Sequence, residues 1–473
     1  MLAWPSPPLP VLPPDCGRLV LTDTASGQRV PVGPAGGTAR LYVCGITPYD
    51  ASHLGHAFTY VTFDLVNRAW RDLGLSVVYT QNVTDVDDPL LVRARQSGVD
   101  WRALAAEQTD VFRADMAALR VLAPDHYPGV AESLDLVTRW IGRLADAGAV
   151  YQADDAEYPD WYCSNRLAPG FGSLSGLDAE AMRAVFAERG GDPDRPGKRD
   201  PLDALVWRLA RPGEPSWESP LGRGRPGWHI GCVALAQETL GPVFDLQGGG
   251  TDLVFPHHEM CAAQAETVTG RRPALAHAHV AMVGLDGEKM SKSLGNLVIV
   301  SHLIDQGMEP MAIRLALLAH HYRTEWSWTA GDRSAAERRL AVWRAAAAPV
   351  AAQAMPRGSR GLPVAGQPGR QAQATPRGSR SGRPVGGVPA SPAEADRLGP
   401  GSRPAGAQGD AASDPDPAAS GVIATLRAAL RDDLRSDRAL AVVDAWAADP
   451  PPDPGGRAAV VRAVDALLGV ALV

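Results

Sequence analysis

The stretch LYVCGITPYDASHLGHAFTYVTFDLVNRAW, residues 41–70, decides the fold of this protein. Its start belongs to an apolar run of strand length, residues 39–46. Apolar side chains then recur at helical spacing, at Phe58, Val61, Leu65 and Ala69. LSVVYTQNV, residues 75–83, has the composition of a second strand. Strand, helix and strand in this order predict a βαβ unit, and therefore a parallel sheet with helices packed on it.

Composition limits the functions that fit the 473 residues. At about 150 residues per domain the chain is long enough for roughly three folded units. Charged residues make up 21% and the net charge is −7, which excludes a general nucleic-acid-coating role. No apolar run reaches the roughly 18 residues of a spanning helix, and prolines interrupt the start of the chain. We therefore expect a cytoplasmic protein that does not bind membranes.

The sequence predicts further regular elements between stretches that are rich in turn formers. The predicted strands are 203–210 and 244–250, and residues 277–292 read as a strand that feeds a loop. The predicted helices lie near 100–120, 132–148, 178–189, 310–322 and 331–348, begin near Gly227 and His257, and close the chain at 421–449 and 457–470.

Residues 349–420 differ from the rest of the chain. They contain no aromatic residue, are dense in Pro, Gly, Ala and Arg, and include the near-duplicates AQAMPRGSR and AQATPRGSR. Such a stretch cannot bury enough apolar surface to offset its ordering entropy, so we predict a disordered insertion. The predicted organisation is an extended segment (1–37), the first half of the core (38–130), an inserted subdomain (131–200), the second half of the core (201–284), a loop and junction (285–330), a helical bundle (331–348 with 421–473) and the insertion (349–420).

Lysine is rare here: of 46 basic residues only Lys198, Lys289 and Lys292 are lysines. Two of them lie three residues apart in GEKMSKSLGN, residues 287–296. Arginine does not replace lysine where a compact, flexible point charge must follow a moving phosphate. The pair is therefore a candidate site in its own right.

Two short motifs carry phosphate chemistry. HLGH, residues 53–56, lies where the first strand meets its helix, and free N–H groups and the helix dipole attract anions there. KMSKS, residues 289–293, reads as a mobile loop whose ammonium groups stabilise charge on leaving pyrophosphate. Alone, HLGH is as compatible with two capping or packed histidines, and KMSKS with a solvated turn. Together, flanking a βαβ core, they indicate a nucleotide site.

HLGH followed by KMSKS resembles the catalytic domain of class I aminoacyl-tRNA synthetases, which implies an α/β, Rossmann-like nucleotide-binding core. The segments LYVCGITPYDASHLGH, NVTDVDD, GRPGWHIGC and QGGGTDLVFPHHE resemble the cysteine-specific branch. The resemblance covers about residues 38–330. It implies that Mg²⁺-bound ATP and L-cysteine are substrates, with His53, His56, Lys289 and Lys292 catalytic.

The resemblance also implies one zinc ion per chain, held by Cys44, Cys232 and His257, that accepts the sulfur of cysteine. Zinc takes thiolate and imidazole tetrahedrally, and a catalytic site keeps one position open. The chain departs from the branch at Cys261, where the synthetases carry a ligating glutamate, and at Gly231, where they carry glutamate. Cys261 is either a fourth ligand or a core residue, and we favour the core.

By the same resemblance a larger set of residues lines the aminoacyl-adenylate pocket. These are Cys44, Gly45, Ile46, Thr47, Thr59, Asn82, Val83, Thr84, Trp228, Gly250, Thr251, Asp252 and Val283. Asp252 is our candidate for the group that takes the proton from an attacking amine, although it could equally bind the ammonium of cysteine. Ordinary packing at strand ends is the alternative for several of the aliphatic members.

The composition of the C-terminal segment bears on which molecule accepts the activated cysteine. The last 53 residues carry six Arg, no Lys and seven Asp, whereas gripping tRNA calls for a basic face. Trp4, Pro5, Pro48 and FAERGGDPDRPGK, residues 186–198, resemble the mycothiol-pathway cysteine ligases. Membership would make glucosaminyl-inositol the acceptor and exclude tRNA. The alternatives are a cysteinyl-tRNA synthetase and a non-catalytic nucleotide- or RNA-binding paralogue. No dimer-forming stripe stands out, so we expect a monomer.

Overall fold

The computed structural model describes residues 1–13, 15–290, 296–349 and 417–473. The strands are β1 (Leu19–Thr22), β2 (Arg29–Val32), β3 (Thr38–Val43), β4 (Ser76–Gln81), β5 (Val150–Gln152), β6 (Trp161–Cys163), β7 (Ala204–Leu209), β8 (Gly224–Pro226), β9 (Phe244–Gly250), β10 (Ala274–Val280), β11 (Val283–Leu285), β12 (Glu288–Lys289) and β13 (Trp326–Trp328). The helices are α1 (Leu54–Asp72), α2 (Asp88–Ser97), α3 (Trp101–Ala118), α4 (Leu134–Asp146), α5 (Ala179–Glu188), α6 (Trp228–Leu240), α7 (Glu259–Thr269), α8 (Val300–Asp305), α9 (Pro310–Leu318), α10 (Ala330–Ala347), α11 (Pro417–Arg431), α12 (Ser436–Ala448) and α13 (Pro454–Leu468).

A four-stranded parallel sheet forms the centre of the fold, in the order β10-β9-β3-β4. Leu41 on β3 pairs with Tyr79 on β4 and with Leu246 on β9, so β3 is a central strand. Its residues are apolar because both faces are covered. The βαβ unit predicted from residues 41–83 is confirmed as β3, α1 and β4.

Helix α1 is buried over most of its length because it packs between the sheet and the C-terminal helices. Phe58, Val61, Leu65 and Ala69, the residues at helical spacing, all lie in the main core. The helix also buries two charged residues, Asp64 and Arg68, on the side that faces α9 and α13.

Smaller sheets surround the central one. The antiparallel sheet β5-β6-β7-β8 lies in residues 150–226, and β12-β11-β13 forms a three-stranded sheet that contains the start of the KMSKS segment. At the N-terminus β1 and β2 pair as a hairpin. This corrects the prediction of an extended lead-in over 1–37: two short strands with alternately buried residues in β1 pair within it, and Leu19 and Leu21 enter the core.

The C-terminal region corrects a second prediction. The helix expected over 421–449 is two helices, α11 and α12, and both Asp433 and Leu434 between them have positive φ. Asp433 accepts hydrogen bonds from the backbone N–H of Thr22 at 2.8 Å and from the hydroxyl of Tyr322 at 2.7 Å. These tertiary contacts break a helix that local spacing alone would have continued. Helix α11 begins at Pro417, inside the predicted insertion 349–420, most of which lies outside the described residues.

The helices predicted near 100–120, 132–148, 178–189 and 331–348 are confirmed as α3, α4, α5 and α10. Helix α2 escaped prediction because it has only 10 residues. Its start signals were nevertheless present: Asp87 caps it, and a proline occupies its first turn. Among the described residues no helix is long and apolar enough to cross a membrane.

A buried carboxyl on α3 gives a testable pH dependence. Burial, reinforced by the charge of Asp305, raises the pKa of Asp115 to about 7. A folded-state pKa above the unfolded value means that the free energy of unfolding falls as pH rises from about 4 through 7. Asp115→Asn should therefore stabilise the protein at pH 8 by about 2–4 kcal/mol, and at pH 5 by about a third of that amount.

The check is denaturant unfolding at both pH values. Asp110→Asn, the same exchange at an exposed position of α3, serves as the control, since its side chain is 72% exposed. An equal effect of Asp115→Asn at pH 5 and pH 8 would show that Asp115 does not titrate in this range.

Candidate active site

A cavity of about 740 Å³ opens at the carboxyl ends of the parallel strands. Cys44–Thr47 follow β3, Gly249 and Gly250 end β9, and Val280–Val283 run from the end of β10 to the start of β11. The carboxyl ends of parallel strands meet at one edge of a sheet, which is where open α/β folds bind ligands. Residues that are 200 positions apart in the chain therefore share one cavity.

Most of the residues predicted for the adenylate pocket line this cavity. They are Cys44, Gly45, Ile46, Thr47, Thr59, Thr84, Trp228, Gly250, Asp252 and Val283. Asn82, Val83 and Thr251 do not line it. Asn82 and Val83 are fully buried behind the wall, and Thr251 is exposed to solvent.

Asn82 shapes the wall from behind. Its Oδ1 accepts hydrogen bonds from the backbone N–H of Gly45 and the hydroxyl of Tyr42, both at 3.0 Å, and its Nδ2 donates to Thr84 at 3.2 Å. A Cβ atom on Gly45 would lie 1.4 Å from the carbonyl oxygen of Asn82. Only glycine permits this approach of two backbones, so the turn after β3 is fixed by its neighbour on β4.

Cys44, Cys232 and His257 converge at the base of the cavity. One potential ligand atom from each lies within 4.8 Å of the others, and all three side chains are buried. Cys44 follows β3, Cys232 lies in the second turn of α6, and His257 precedes α7. Two thiols and an imidazole are a donor set that suits zinc, and three protein ligands leave a fourth position for a substrate. The predicted ligands are therefore brought together, and they fit the metal.

The electrostatics of the cluster favour a thiolate. A hydrogen bond from Cys44 and the charge of His257 lower the pKa of Cys232 well below its usual value, against the effect of burial. Burial raises the pKa of Cys44, and the neighbouring Cys232 raises it further. Of these two neighbouring thiols, Cys232 therefore loses its proton more readily. Thiolate is the form that binds metal.

A row of imidazoles behind the cluster was not predicted. His258 Nε2 lies 3.1 Å from the sulfur of Cys44, and His258 Nδ1 lies 2.7 Å from His279 Nε2. His279 Nδ1 in turn lies 2.7 Å from the hydroxyl of Thr24, beyond β1. Burial lowers the pKa of His279 to about 3, so this imidazole is neutral. The signal was the HAH sequence of β10, because alternate residues of a strand share a face.

The two departures from the cysteine-specific branch have local explanations. Cys261 is buried in a core cluster, and its sulfur also lies 3.9 Å from His257 Nε2. It is therefore both a core residue and a neighbour of a candidate ligand. A Cβ atom on Gly231 would lie 3.0 Å from a methyl carbon of Val130, so the side chain of Val130 crowds the position that the synthetases give to glutamate.

The HLGH motif forms the start of α1 at the cavity wall. His53 caps the helix, since its Nδ1 accepts a hydrogen bond from the backbone N–H of Gly55 at 3.1 Å. The rings of His53 and His56 lie 4.0 Å apart, and both line the cavity. His53 therefore both caps the helix and lines the cavity. In KMSKS, the backbone of Lys289 pairs with Gly284 and Met290 lines the cavity, whereas Lys292 lies outside the described residues.

A polar part of the cavity was also missed. We call it the polar wall, and it comprises Asp87, Asp88, Arg189, Gly190, Gly191, Asp192, Arg208 and Arg225. These residues come from the start of α2, the turn after α5, and β7 and β8. Arg225 is buried and pairs with Asp88 at 2.5 Å and with Glu214 at 3.2 Å. Nothing in the sequence alone places these four segments together.

The third lysine supports the polar wall. Lys198 is 2% exposed and donates to Asp192 Oδ1 at 2.9 Å, to the backbone oxygen of Asp192 at 3.2 Å and to that of Pro201 at 3.0 Å. Three acceptors match the three N–H groups of an ammonium. Its ammonium nitrogen also lies 5.1 Å from the centroid of the Tyr162 ring and 5.0 Å from that of the Phe186 ring, where a cation is attracted to the ring faces. This explains why lysine stands here in a chain that otherwise uses arginine.

The parallel sheet with its cavity at the strand ends defines a class I aminoacyl-tRNA synthetase fold. Two solved structures share it: methionyl-tRNA synthetase from Mycobacterium tuberculosis in complex with methionyl-adenylate (TM-score 0.56, 14% identity, 91% of this chain and 89% of that one) and LeuRS from Agrobacterium radiobacter K84 (TM-score 0.58, 11% identity, 92% and 84%). Residues 33–337 match the family described as tRNA synthetases class I (C) catalytic domain.

Two relatives identify the branch. Proteins from Kribbella flavida and Thermobifida fusca, both named L-cysteine:1D-myo-inositol 2-amino-2-deoxy-alpha-D-glucopyranoside ligase, are each 51% identical to this chain, over all of the chain and 100% and 99% of their own lengths. The chain belongs to this family, within the class I synthetases, and is an ATP-dependent ligase. The fold class and the family predicted from the sequence are confirmed.

Proposed function

We propose that this enzyme joins L-cysteine to the amine of glucosaminyl-inositol through cysteinyl-AMP. ATP and cysteine would first give the adenylate and diphosphate, and the sugar amine would then displace AMP. The observation that carries the proposal is the cluster of Cys44, Cys232 and His257 in the same cavity as HLGH. The names of the relatives support the acceptor. In mycothiol biosynthesis this reaction supplies the cysteine amide.

In the first step the chain must bind the triphosphate and neutralise its charge. His53 and His56 at the start of α1 would donate hydrogen bonds to the phosphate that reacts, because the N-terminus of a helix attracts anions. Lys289 and Lys292 would approach the leaving diphosphate as point charges. Mg²⁺ is expected to accompany ATP, as in the family.

Cys44, Cys232 and His257 would hold one zinc ion. When bound, zinc supplies a soft Lewis acid that binds a thiolate far better than a hydroxyl, and so selects cysteine over serine. Trp228 stacks on the His257 ring at 4.4 Å and fixes its orientation. The hydroxyl of Tyr60 donates to the carbonyl oxygen of Cys44 at 3.0 Å and fixes that strand end.

In the second step the attacking amine must lose a proton. Asp252 lines the cavity and is exposed to solvent, so it can accept that proton and release it. Asp252→Asn is then expected to slow transfer to the acceptor by about 10²-fold or more while cysteine-dependent pyrophosphate exchange changes little. Rapid-quench measurement of transfer from preformed adenylate checks this.

Asp146→Asn, at an exposed position at the end of α4 outside the cavity, is the matched control. An equal loss in exchange and in transfer would reject Asp252 as the proton acceptor. It would assign Asp252 to the ammonium of cysteine, which takes part in both steps.

Cysteinyl transfer to tRNA is the main competing reaction, because the matched catalytic domain is that of a tRNA synthetase. The purified enzyme should be incubated with ATP, labelled cysteine and either glucosaminyl-inositol or tRNA. Labelled amide with the sugar and none on tRNA is the expected result. Charging of tRNA would replace the proposal, and absence of cysteine-dependent exchange in zinc-loaded protein would favour a non-catalytic nucleotide- or RNA-binding paralogue.

A further inference from the structure

The cavity has a charged region in addition to the residues that we assign to cysteine and to the phosphates. The thiol and imidazole cluster marks the cysteine end, and HLGH marks the phosphate end. The polar wall lies in the same cavity and carries charged side chains of both signs. An amino sugar with many hydroxyls needs both donors and acceptors around it, which an apolar wall would not provide.

Asp87 is a carboxylate of this wall that is free to meet a cation. One of its oxygens accepts a hydrogen bond from the backbone N–H of Asp88 at 2.8 Å and caps α2. Arg225, the nearby cation, is paired with Asp88 and Glu214. Within the part of the chain that the structure describes, no basic side chain forms an ion pair with Asp87. Burial raises the pKa of Asp87 to about 6, so the carboxyl is mostly ionised at neutral pH.

The other side of the polar wall is held rigidly. The guanidinium of Arg189 donates to the backbone oxygens of Asp252 and, at 2.6 Å, of Phe255, which ties the turn after α5 to the segment that carries His257. Lys198 fixes Asp192 at the end of the same turn. A Cβ atom on Gly191 would lie 2.3 Å from the ring of Phe186, so this backbone passes close to α5. Rigid walls of this kind position a substrate without an ordering cost.

We propose that the polar wall is the acceptor subsite, and that Asp87 binds the protonated amino group of the acceptor as it enters. The inference rests on the proposed function for the identity of the acceptor. It assigns Asp87 to acceptor binding, and leaves removal of the proton to Asp252. The recognised chemistry is a primary amine on a polyhydroxylated ring.

Asp87→Asn tests the inference with little structural change, because asparagine caps a helix as well as aspartate does. The enzyme is loaded with a sulfamoyl analogue of cysteinyl-AMP, and binding is measured by calorimetry. The ligands are glucosaminyl-inositol and the analogue with a hydroxyl in place of the amine. The wild type is expected to bind the amine at least about tenfold more tightly, and the variant is expected to bind the two ligands about equally.

Asp100→Asn is the matched control, since Asp100 also caps a helix, α3, but does not line the cavity. It should leave the wild-type preference for the amine unchanged. A preference for the amine that persists in Asp87→Asn would overturn the inference. Equal weakening of both ligands would also overturn it, because it would assign Asp87 to the shape of the wall. Product formation by the wild type is measured separately, and its absence would reject the proposed function instead.

Discussion

Replacing Cys232 by serine is expected to abolish zinc binding and to lower cysteine-dependent pyrophosphate exchange by more than about 10²-fold. Loss of a residue that only hydrogen-bonds to a metal ligand already lowers metal affinity or activity by about 10–100-fold. Cys232 would be a direct ligand, so its loss should have a larger effect. Cys232 is also the thiol whose pKa is lowered by its neighbours Cys44 and His257, so it is the preferred thiolate of the cluster. A serine hydroxyl does not ionise at neutral pH and cannot replace it.

Metal content by atomic emission and exchange with cysteine or serine as substrate check this prediction. Cys163→Ser is the control, because Cys163 is fully buried but lies outside the cluster. It should keep one zinc per chain and full exchange. Cys232→Ser with a full complement of zinc, or wild-type enzyme that adenylates serine as readily as cysteine, would contradict the assignment. Cys261→Ser extends the test: retention of zinc would place Cys261 in the core alone.

Asp64→Asn is expected to lower the free energy of unfolding by about 3–5 kcal/mol, because it leaves buried guanidinium groups without their counter-charge. Asp64 and its partners Arg68 and Arg314 are all fully buried. Burial acts to raise the pKa of Asp64, but the two arginines lower it overall, so the carboxylate is ionised. Arg68 also donates to two backbone oxygens of α13, and Arg314 to the backbone oxygen of Leu468.

This charged network joins α1 of the nucleotide-binding core to α9 and the C-terminal helices. Denaturant unfolding of the full chain measures the loss. Glu337→Gln is the control, because its ion pair with Arg333 lies on the surface of α10 and such pairs contribute at most about 1 kcal/mol. If Asp64→Asn cost no more than this control, the network would have no role in holding the core and the C-terminal helices together.

The features that the sequence predicted are local ones. The strand and helix of residues 41–70 follow from spacing within one segment, and His53 and His56 lie together because they belong to one turn. The prediction of one helix over 421–449 was wrong because the contacts of Asp433 with Thr22 and Tyr322 outweigh the local preference for a continuous helix. The hairpin in 1–37 was missed because each strand has only four residues.

In the candidate active site, some residues could be found from the sequence and others only from the tertiary structure. Cys44, Cys232 and His257 were found through a resemblance, since their spacing alone does not indicate a metal site. His258 and His279 follow from tertiary structure, because their contacts join the segment before α7 to β10. The polar wall joins four segments that share no motif, and its member Asp87 was visible in the sequence only as part of NVTDVDD.

By itself the sequence determined the class of chemistry: a βαβ unit and two phosphate motifs indicate a nucleotide site, and the resemblance of further segments to known enzymes indicates the ligase family. The tertiary structure alone decided which side chains share the cavity. The order β10-β9-β3-β4 brings the ends of distant strands to one edge, and a buried ammonium at Lys198 fixes the turn that faces them. Local patterns encode secondary structure, whereas the neighbours of a cavity depend on how strands are ordered.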